Sequence, residues 1–296
     1  MGALVNQLPI GLSIAAVLLL IALGLTFTFG QMGVINMAHG EFIMAGAYTA
    51  YLLQSSSLLG DTSQSFLIAL PVAFAVAGVM GLLLEWSLVR RFYGRPLDTL
   101  LLTWGVSLVL QQLARDVFGA PNVQVTAPGW LVGGVDVLGV RLPYNRVFIV
   151  VLAVLCVVGV WLYLTRLPAG RRMRAVVQDR ELAAYSGIAT GRVDRFTFLL
   201  GSGLAGVAGV ALTLVGPVGP SLGTFYIVDA FLVVVAGGLG QLRGAVLAAV
   251  ALGFLNGYLE FWTDASLAKV LVFVAVIAFL QVRPQGMFVL KGRALV

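Results

Sequence analysis

The stretch Gly33–Tyr48, GVINMAHGEFIMAGAY, decides how this chain is read. It holds the only histidine, His39, and the first carboxylate, Glu41, and both flanks are hydrophobic. Met1–Ala38 carries no charged side chain, and neither does Phe42–Gly60. A helix of about 20 apolar residues crosses the hydrocarbon core, so an imidazole and an acid stand two positions apart in lipid-soluble surroundings. An ionised carboxylate at mid-bilayer costs at least about 3 kcal/mol. The cost falls if Glu41 faces water, pairs with protonated His39, or sits at the start of a helix beginning near Phe42, where the dipole favours an anion. Gly30 and Gly33 allow the preceding helix to break. Two readings fit. One is a broken helix near residues 30–41, close to the midplane, whose freed backbone groups line a cavity. The other is a turn at the cytoplasmic surface that leaves His39 and Glu41 among the headgroups.

Working outward, charge-free runs recur at Thr62–Leu84, Val147–Thr165 and Phe196–Val228. Of the 296 residues, 60% are hydrophobic and 10% charged, against about 25% charged in soluble domains. A water-soluble fold is excluded. The pattern predicts an all-α, polytopic transmembrane bundle of about eight or nine spans, near 9–29, 34–54, 66–89, 97–114, 147–165, 196–215, 229–242, 244–261 and 267–282. Residues 1–296 read as one transmembrane domain. The first apolar run has no basic segment before it and exceeds the ~7–15-residue core of a signal peptide. Cys156 is the lone cysteine, so no intramolecular disulfide is available.

The net charge of +6 is distributed by side. Arginines crowd 90–98, 166–195 and the break at 243, and Arg283, Lys291 and Arg293 follow the last span. Of the 18 basic residues, the opposite side keeps only Arg115, Arg141, Arg146 and Lys269. This bias places the arginine-rich loops and the C-terminus in the cytoplasm, and by alternation the N-terminus outside. The extracytoplasmic loop 115–146 is rich in Gly and Pro and alternates Val with polar residues, which predicts a short strand pair. In the cytoplasmic loop 166–195, apolar residues at helical spacing predict a short amphipathic helix from Arg172 to Ser186, stopped by Gly187. It reads either as a solvated loop with topogenic arginines or as a docking helix for a cytoplasmic subunit.

Within the fourth span Thr103, Trp104, Ser107 and Gln111 form a polar stripe, facing a pathway or gluing helices together. A second Gly-rich interruption, Ala236–Ala245, follows Asp229; paired breaks of this kind point to transporter sites. The two halves show no convincing sequence repeat. Gly201–Gly206, GSGLAG, fits a dinucleotide fingerprint only in letters, because no strand precedes it. Gly201, Ala205 and Gly209 instead suit close helix approach. One His and one Cys make no transition-metal constellation. No P-loop occurs and no nucleophile–base pair is visible, so the chain is not expected to be an enzyme.

The stretches GLTFTFGQMGVINMAHGEFIMAGAY, RRMRAVVQDRELAAYSGIATGRVDRFTF and VVVAGGLGQLRGAVLAA resemble, in order, three motifs of the permease subunits of branched-chain amino acid and urea ABC importers. Two stretches, INMAHGEFIMAGAYTAYLLQ and PLDTLLLTWGVSLVLQQLAR, are most similar to the first permease subunit of urea importers. The resemblance implies a multi-pass protein of the bacterial inner membrane. Its partners would be a second related permease chain, two cytoplasmic ATPase subunits and an extracytoplasmic solute-binding protein. ATP and Mg would be held by those partners, with no cofactor in this chain. The resemblance also implies that 171–188 is the coupling helix, with Arg171, Arg172, Arg174, Asp179, Glu181, Ala183, Gly187 and Ile188 facing the ATPase interaction.

Urea is neutral, with one acceptor oxygen and four N–H donors. Asn36, His39, Glu41, Thr103 and Ser107 could line its pathway, with Trp104 as a flat face. A branched-chain amino acid wants a cation, an anion and an apolar pocket, and the spans show no well-placed intramembrane Lys or Arg, although a broken-helix N-terminus could serve. Urea is therefore the first expectation, and an amino acid or short amide the second. A stand-alone channel and a non-transport scaffold are the readings from other classes.

Overall fold

The computed structural model describes residues 7–56, 62–137 and 140–288. The chain runs α1 (Gln7–Met32), α2 (His39–Ser55), α3 (Thr62–Ser87), α4 (Pro96–Phe118), a hairpin of β1 (Gly134–Val137) and β2 (Val140–Pro143), α5 (Tyr144–Arg166), α6 (Pro168–Gln178), α7 (Arg180–Tyr185), α8 (Thr190–Leu212), α9 (Leu222–Gly237), α10 (Leu242–Trp262) and α11 (Ala265–Val282). Among the described residues, α1, α3, α4, α5, α8, α10 and α11 are long and apolar enough to cross a membrane, and α9 is a shorter apolar helix. The expected polytopic helical bundle stands. Two expected spans need correction: 34–54 is the short helix α2, and 229–242 is α9, which begins seven residues earlier.

α1 and α8 form the buried centre, whereas α4, α5 and α11 turn apolar flanks outward. The expected close approach along α8 is present. Gly201 lies against Gly24 of α1, Gly209 against the Ile43 carbonyl of α2, and Gly206 against the Ala73 carbonyl of α3. A Cβ at any of these positions would collide with backbone, so the small residues set the helix spacing.

Helices α1–α4 and α8–α11 repeat one plan: a long helix, an interruption, a short helix, then two long helices. Packing follows the same plan. α3 lies on α8 as α10 lies on α1, α2 on α8 as α9 on α1, and α2 meets α9. α5, α6 and α7 join the two halves. The halves run in opposite directions, so the interruption matching 33–38 is 213–221 rather than Ala236–Ala245. The latter is a tight turn in which Gly238 (φ 98°) and Gly240 (φ 72°) adopt left-handed backbone, with Gly240 pressed on Gly30.

The arginine-bearing segments gather at one end. Arg180 lies over Tyr93, and Met287 N donates to the Ala236 carbonyl. At the other end Gln54 is fastened to Thr126 by two hydrogen bonds, and Val123 bridges Val218. The predicted strand pair is present as β1–β2, in a loop shortened to 119–143 by the ends of α4 and α5. Lys291, Arg293 and the first six residues lie outside the described residues.

The expected single helix from Arg172 to Ser186 is two. α6 ends at Gln178; Asp179 is extended (φ −157°) and its Oδ1 accepts from Leu182 N, capping α7. A carboxylate at this position satisfies a free helix-end N–H, which favours the break over a continuous helix. Gly187 (φ 80°) ends α7 as expected.

The glycine contacts generate a test. Gly223→Val should abolish a monodisperse folded protein in detergent, because its Cβ meets Gly40 backbone. Gly105→Ala, with no atom within 4 Å of the new Cβ, should leave the melting temperature unchanged or raise it, helix propensity adding up to about 1 kcal/mol of stability.

Candidate functional site

α2 starts deep inside the bundle. The side chain of His39, its first residue, reaches Ile21 of α1, with Nε2 3.2 Å from the Ile21 carbonyl. At 1.5 Å per residue that level is about 16 Å short of the end of α1. The chain therefore leaves α1, turns through Gly33 (φ 62°) and climbs back to mid-bundle before coiling again. α9 starts at the same level, since the backbones of Gly40 and Gly223 touch. Two helix N-termini thus meet near the middle of the bundle. Each carries roughly half a positive charge.

The surface-turn reading of 33–41 is corrected by burial: Asn36 and His39 are 0% exposed and Glu41 1%. His39 and Glu41 do not pair. Two helical positions apart, they point to nearly opposite sides, His39 to α1 and the Phe42 ring, Glu41 to α4.

α4 answers Glu41 with its polar stripe. Ser107 Oγ donates to Glu41 Oε1 at 2.9 Å and Gln111 Nε2 to the same oxygen at 3.0 Å. Gln111 Nε2 also lies 3.0 Å from Thr224 Oγ1 on α9. One amide thus joins the third residue of each short helix, Glu41 and Thr224. Thr103 Oγ1 accepts from Met37 N at 3.0 Å, taking a backbone donor freed by the interruption. Bonds to a charged group contribute about 1.5–3 kcal/mol each. The pair at Glu41 therefore offsets a burial cost of about 3 kcal/mol.

Trp104 needs correction. It is 52% exposed and lies on the outward flank, because one helical step turns it about 100° from Thr103. It offers no face to this cluster. Gln111, part of the stripe, is central to it, and so is Thr224, whose pairing no residue pattern announces. Several buried atoms keep no protein partner among the described residues: Asn36 Oδ1 and Nδ2, His39 Nδ1 and Glu41 Oε2. They are mixed donors and acceptors, of the kind that bond a small polar solute or water.

At the arginine-rich end, Arg171, Arg172, Arg174, Asp179, Glu181 and Gly187 are exposed, Ile188 is half-buried, and Ala183 packs inward. Met173 and Val176 seat α6 on the bundle. A network the sequence did not announce holds α7. Arg180 makes a two-pronged pair with Asp194 of α8, Nη1 being 3.2 Å from Oδ1 and Nη2 bonding Oδ2. The Arg180 guanidinium also lies over Tyr93, whose hydroxyl donates to Glu85 Oε1 of α3 at 2.7 Å. Burial and the Glu85 carboxylate raise the Tyr93 phenol above its ordinary range, so it stays a donor. Asp194 likewise holds the Arg180 guanidinium above its ordinary value. Glu85 and Asp194 sit at span edges, where a sequence shows only an ordinary headgroup charge.

Removing one partner of a buried pair costs more than removing both, because it strands a charge. Asp194 is fully buried while Arg180 is half exposed. Arg180→Ala should therefore lower the melting temperature in detergent more than Arg180→Ala/Asp194→Ala does. Equal or additive losses would contradict this arrangement.

Residues 8–280 match the family described as branched-chain amino acid transport system / permease component. The chain is 27% identical to the high-affinity branched-chain amino acid transport system permease protein LivH of Salmonella typhimurium, over 95% of this chain and 94% of that protein. It is 29% identical to the permease protein BraD of Pseudomonas aeruginosa, with the same coverage. It is also 29% identical to LivM of Salmonella typhimurium, over 91% of this chain and 67% of that longer protein. No solved structure matches. The chain belongs to the branched-chain amino acid transport system permease family.

Proposed function

We propose that this chain is a membrane-embedded permease subunit of an ATP-driven, binding-protein-dependent importer. The observation that carries this reading is α6–α7. A basic, exposed helix pair sits at the arginine-rich end and is fastened by Arg180 to α8 and, through Tyr93, to α3. That end is the cytoplasmic one by charge bias. Partner ATPases holding ATP and Mg press on α6–α7, and the Arg180 network passes the movement to the two helices that pack most closely in the bundle. Arg171, Arg172, Arg174, Asp179 and Glu181 present the surface for them. The second permease subunit is a related chain, as the LivH and LivM relatives suggest. The solute-binding protein docks at the opposite end.

For the substrate, branched-chain amino acids lead, because relatives named for them align over nearly the whole chain. The converging N-termini of α2 and α9 suit a carboxylate. Urea, favoured by the sequence, is kept as a second reading on one observation. The cluster of Asn36, Glu41, Thr103, Ser107, Gln111 and Thr224 contains no cation. A neutral solute with N–H donors would need none.

Uptake of labelled leucine and of labelled urea, by cells lacking this chain and by complemented cells, decides between the two. Loss of ATP-linked uptake is expected for Arg180→Ala with the chain still inserted; uptake that persists without ATP would favour the stand-alone channel. Gln111→Leu, which strips Glu41 of one of its two donors, should lower the uptake rate at least tenfold at equal chain abundance. A wild-type rate would remove the midplane cluster from the pathway.

A further inference from the structure

A cavity of about 680 Å³ opens at the end opposite the arginine-rich loops, between α1, the start of α5, the end of α8, and α9–α11. Its size falls in the range of small-molecule sites, about 300–1,000 Å³. Its polar lining includes Arg146, Tyr226, Asp229, Asn256, Glu260 and Lys269. Lys269 Nζ donates to Asp229 Oδ2 at 3.2 Å and lies 5.7 Å from the centre of the Tyr226 ring. Lys269 is thus the well-placed cation that the sequence did not reveal. Neither Arg146 nor Glu260 has an ion-pair partner among the described residues. Asn256 Oδ1 is buried with no protein partner.

The remaining wall mixes Gln7, Ser13 and Asn145 with apolar side chains. Ile10, Ile14 and Val17 present one face of α1. A separate void of about 20 Å³, the size of a single water, lies beyond the Asp229–Lys269 pair beside Leu18, Leu232, Leu252 and Val272. The pair itself borders the open volume of the larger cavity. Charges of both signs, a spare amide oxygen and an apolar face together select a solute with N–H donors at one site, an oxygen acceptor at another, and room for an alkyl group.

We propose that this cavity is the outer subsite of the pathway, where the delivered solute is held before it reaches the midplane. Asp229, Glu260 and Asn256 accept from its ammonium or amide N–H groups. Lys269 and Arg146 donate to its carboxylate or carbonyl oxygen, and an aliphatic side chain lies along Ile10, Ile14 and Val17. The proposal rests on the importer reading. An α-amino acid uses both the charged groups and this apolar face; urea, which shares the donor and acceptor chemistry, leaves the apolar face uncovered.

The test uses the whole transporter: this chain, its partner permease, the ATPases and the binding protein, in membranes. Cys156→Ala removes the lone thiol, and Asn256→Cys places a reporter in the cavity; Phe261→Cys, also in the lining, is a second reporter should the first fail to assemble. Labelling by an impermeant thiol reagent from the binding-protein side is timed alone, with millimolar leucine, and with millimolar urea. Leucine is expected to slow labelling at least threefold. Protection by urea and not by leucine would support the same subsite with urea as its solute. Lys269→Met should raise the KM for uptake at least tenfold, and Lys269→Arg should restore it. No protection by either solute, with Cys156→Ala uptake intact, overturns the subsite alone. Uptake of neither solute by the Cys156→Ala chain overturns the importer reading, and the subsite with it.

Discussion

Backbone N–H groups released in the middle of a bilayer find no water to bond. This chain begins two helices there, back to back at Gly40 and Gly223, and most of its other peculiarities answer that arrangement. Two positive helix ends side by side repel; Glu41, in the first turn of α2, supplies a compensating carboxylate. The carboxylate in turn needs donors, and α4 turns Ser107 and Gln111 inward to provide them. Thr103 takes the Met37 N–H. The result is an inverted helix: α4 buries Thr99, Thr103, Ser107 and Gln111 and exposes Leu97, Leu101, Leu108 and Val117.

The two halves share a pairing of their acids, although only Glu41 lies in the first turn of its helix. Each short helix carries one acid, Glu41 on α2 and Asp229 on α9, and each acid is met from the last helix of its own half. The answering groups are Ser107 and Gln111 on α4, and Lys269 on α11. One half uses neutral donors and lies sealed; the other uses a cation and borders the outer cavity. The same fold plan thus yields two polar clusters at different depths, while α6–α7 with Arg180 lie at the far end.

Much of this was readable from residue patterns, and the failures share one cause. Long apolar runs marked seven spans because length alone decides them. Gly187 marked the end of α7 because its conformation suits few other residues. The start of α9 was missed because Asp229 reads as an edge when its partner, Lys269, is invisible from forty positions away. The stripe on α4 was visible by spacing, but its target was 66 residues upstream. Trp104 was included because it adjoins Thr103 in sequence, although helical rotation carries it to the outer flank. Asp179 broke the expected coupling helix by competing locally for a backbone donor, a preference that apolar periodicity does not register. Inverted repeats left no trace in the letters, because only the path of the chain is repeated.

The seams of the bundle differ in mechanical compliance. Where α8 meets α1, α2 and α3, backbones touch through glycine, and any sliding drives carbonyl oxygens into one another. α4 is held by side-chain hydrogen bonds and by the stacked Tyr48 and Phe118 rings, with no backbone contact through glycine. Under load such a body yields along its softest joint while its stiff spine turns as a unit. The joint beside α4 is also the one that covers Glu41, so the most compliant seam of the bundle lies directly over its buried acid.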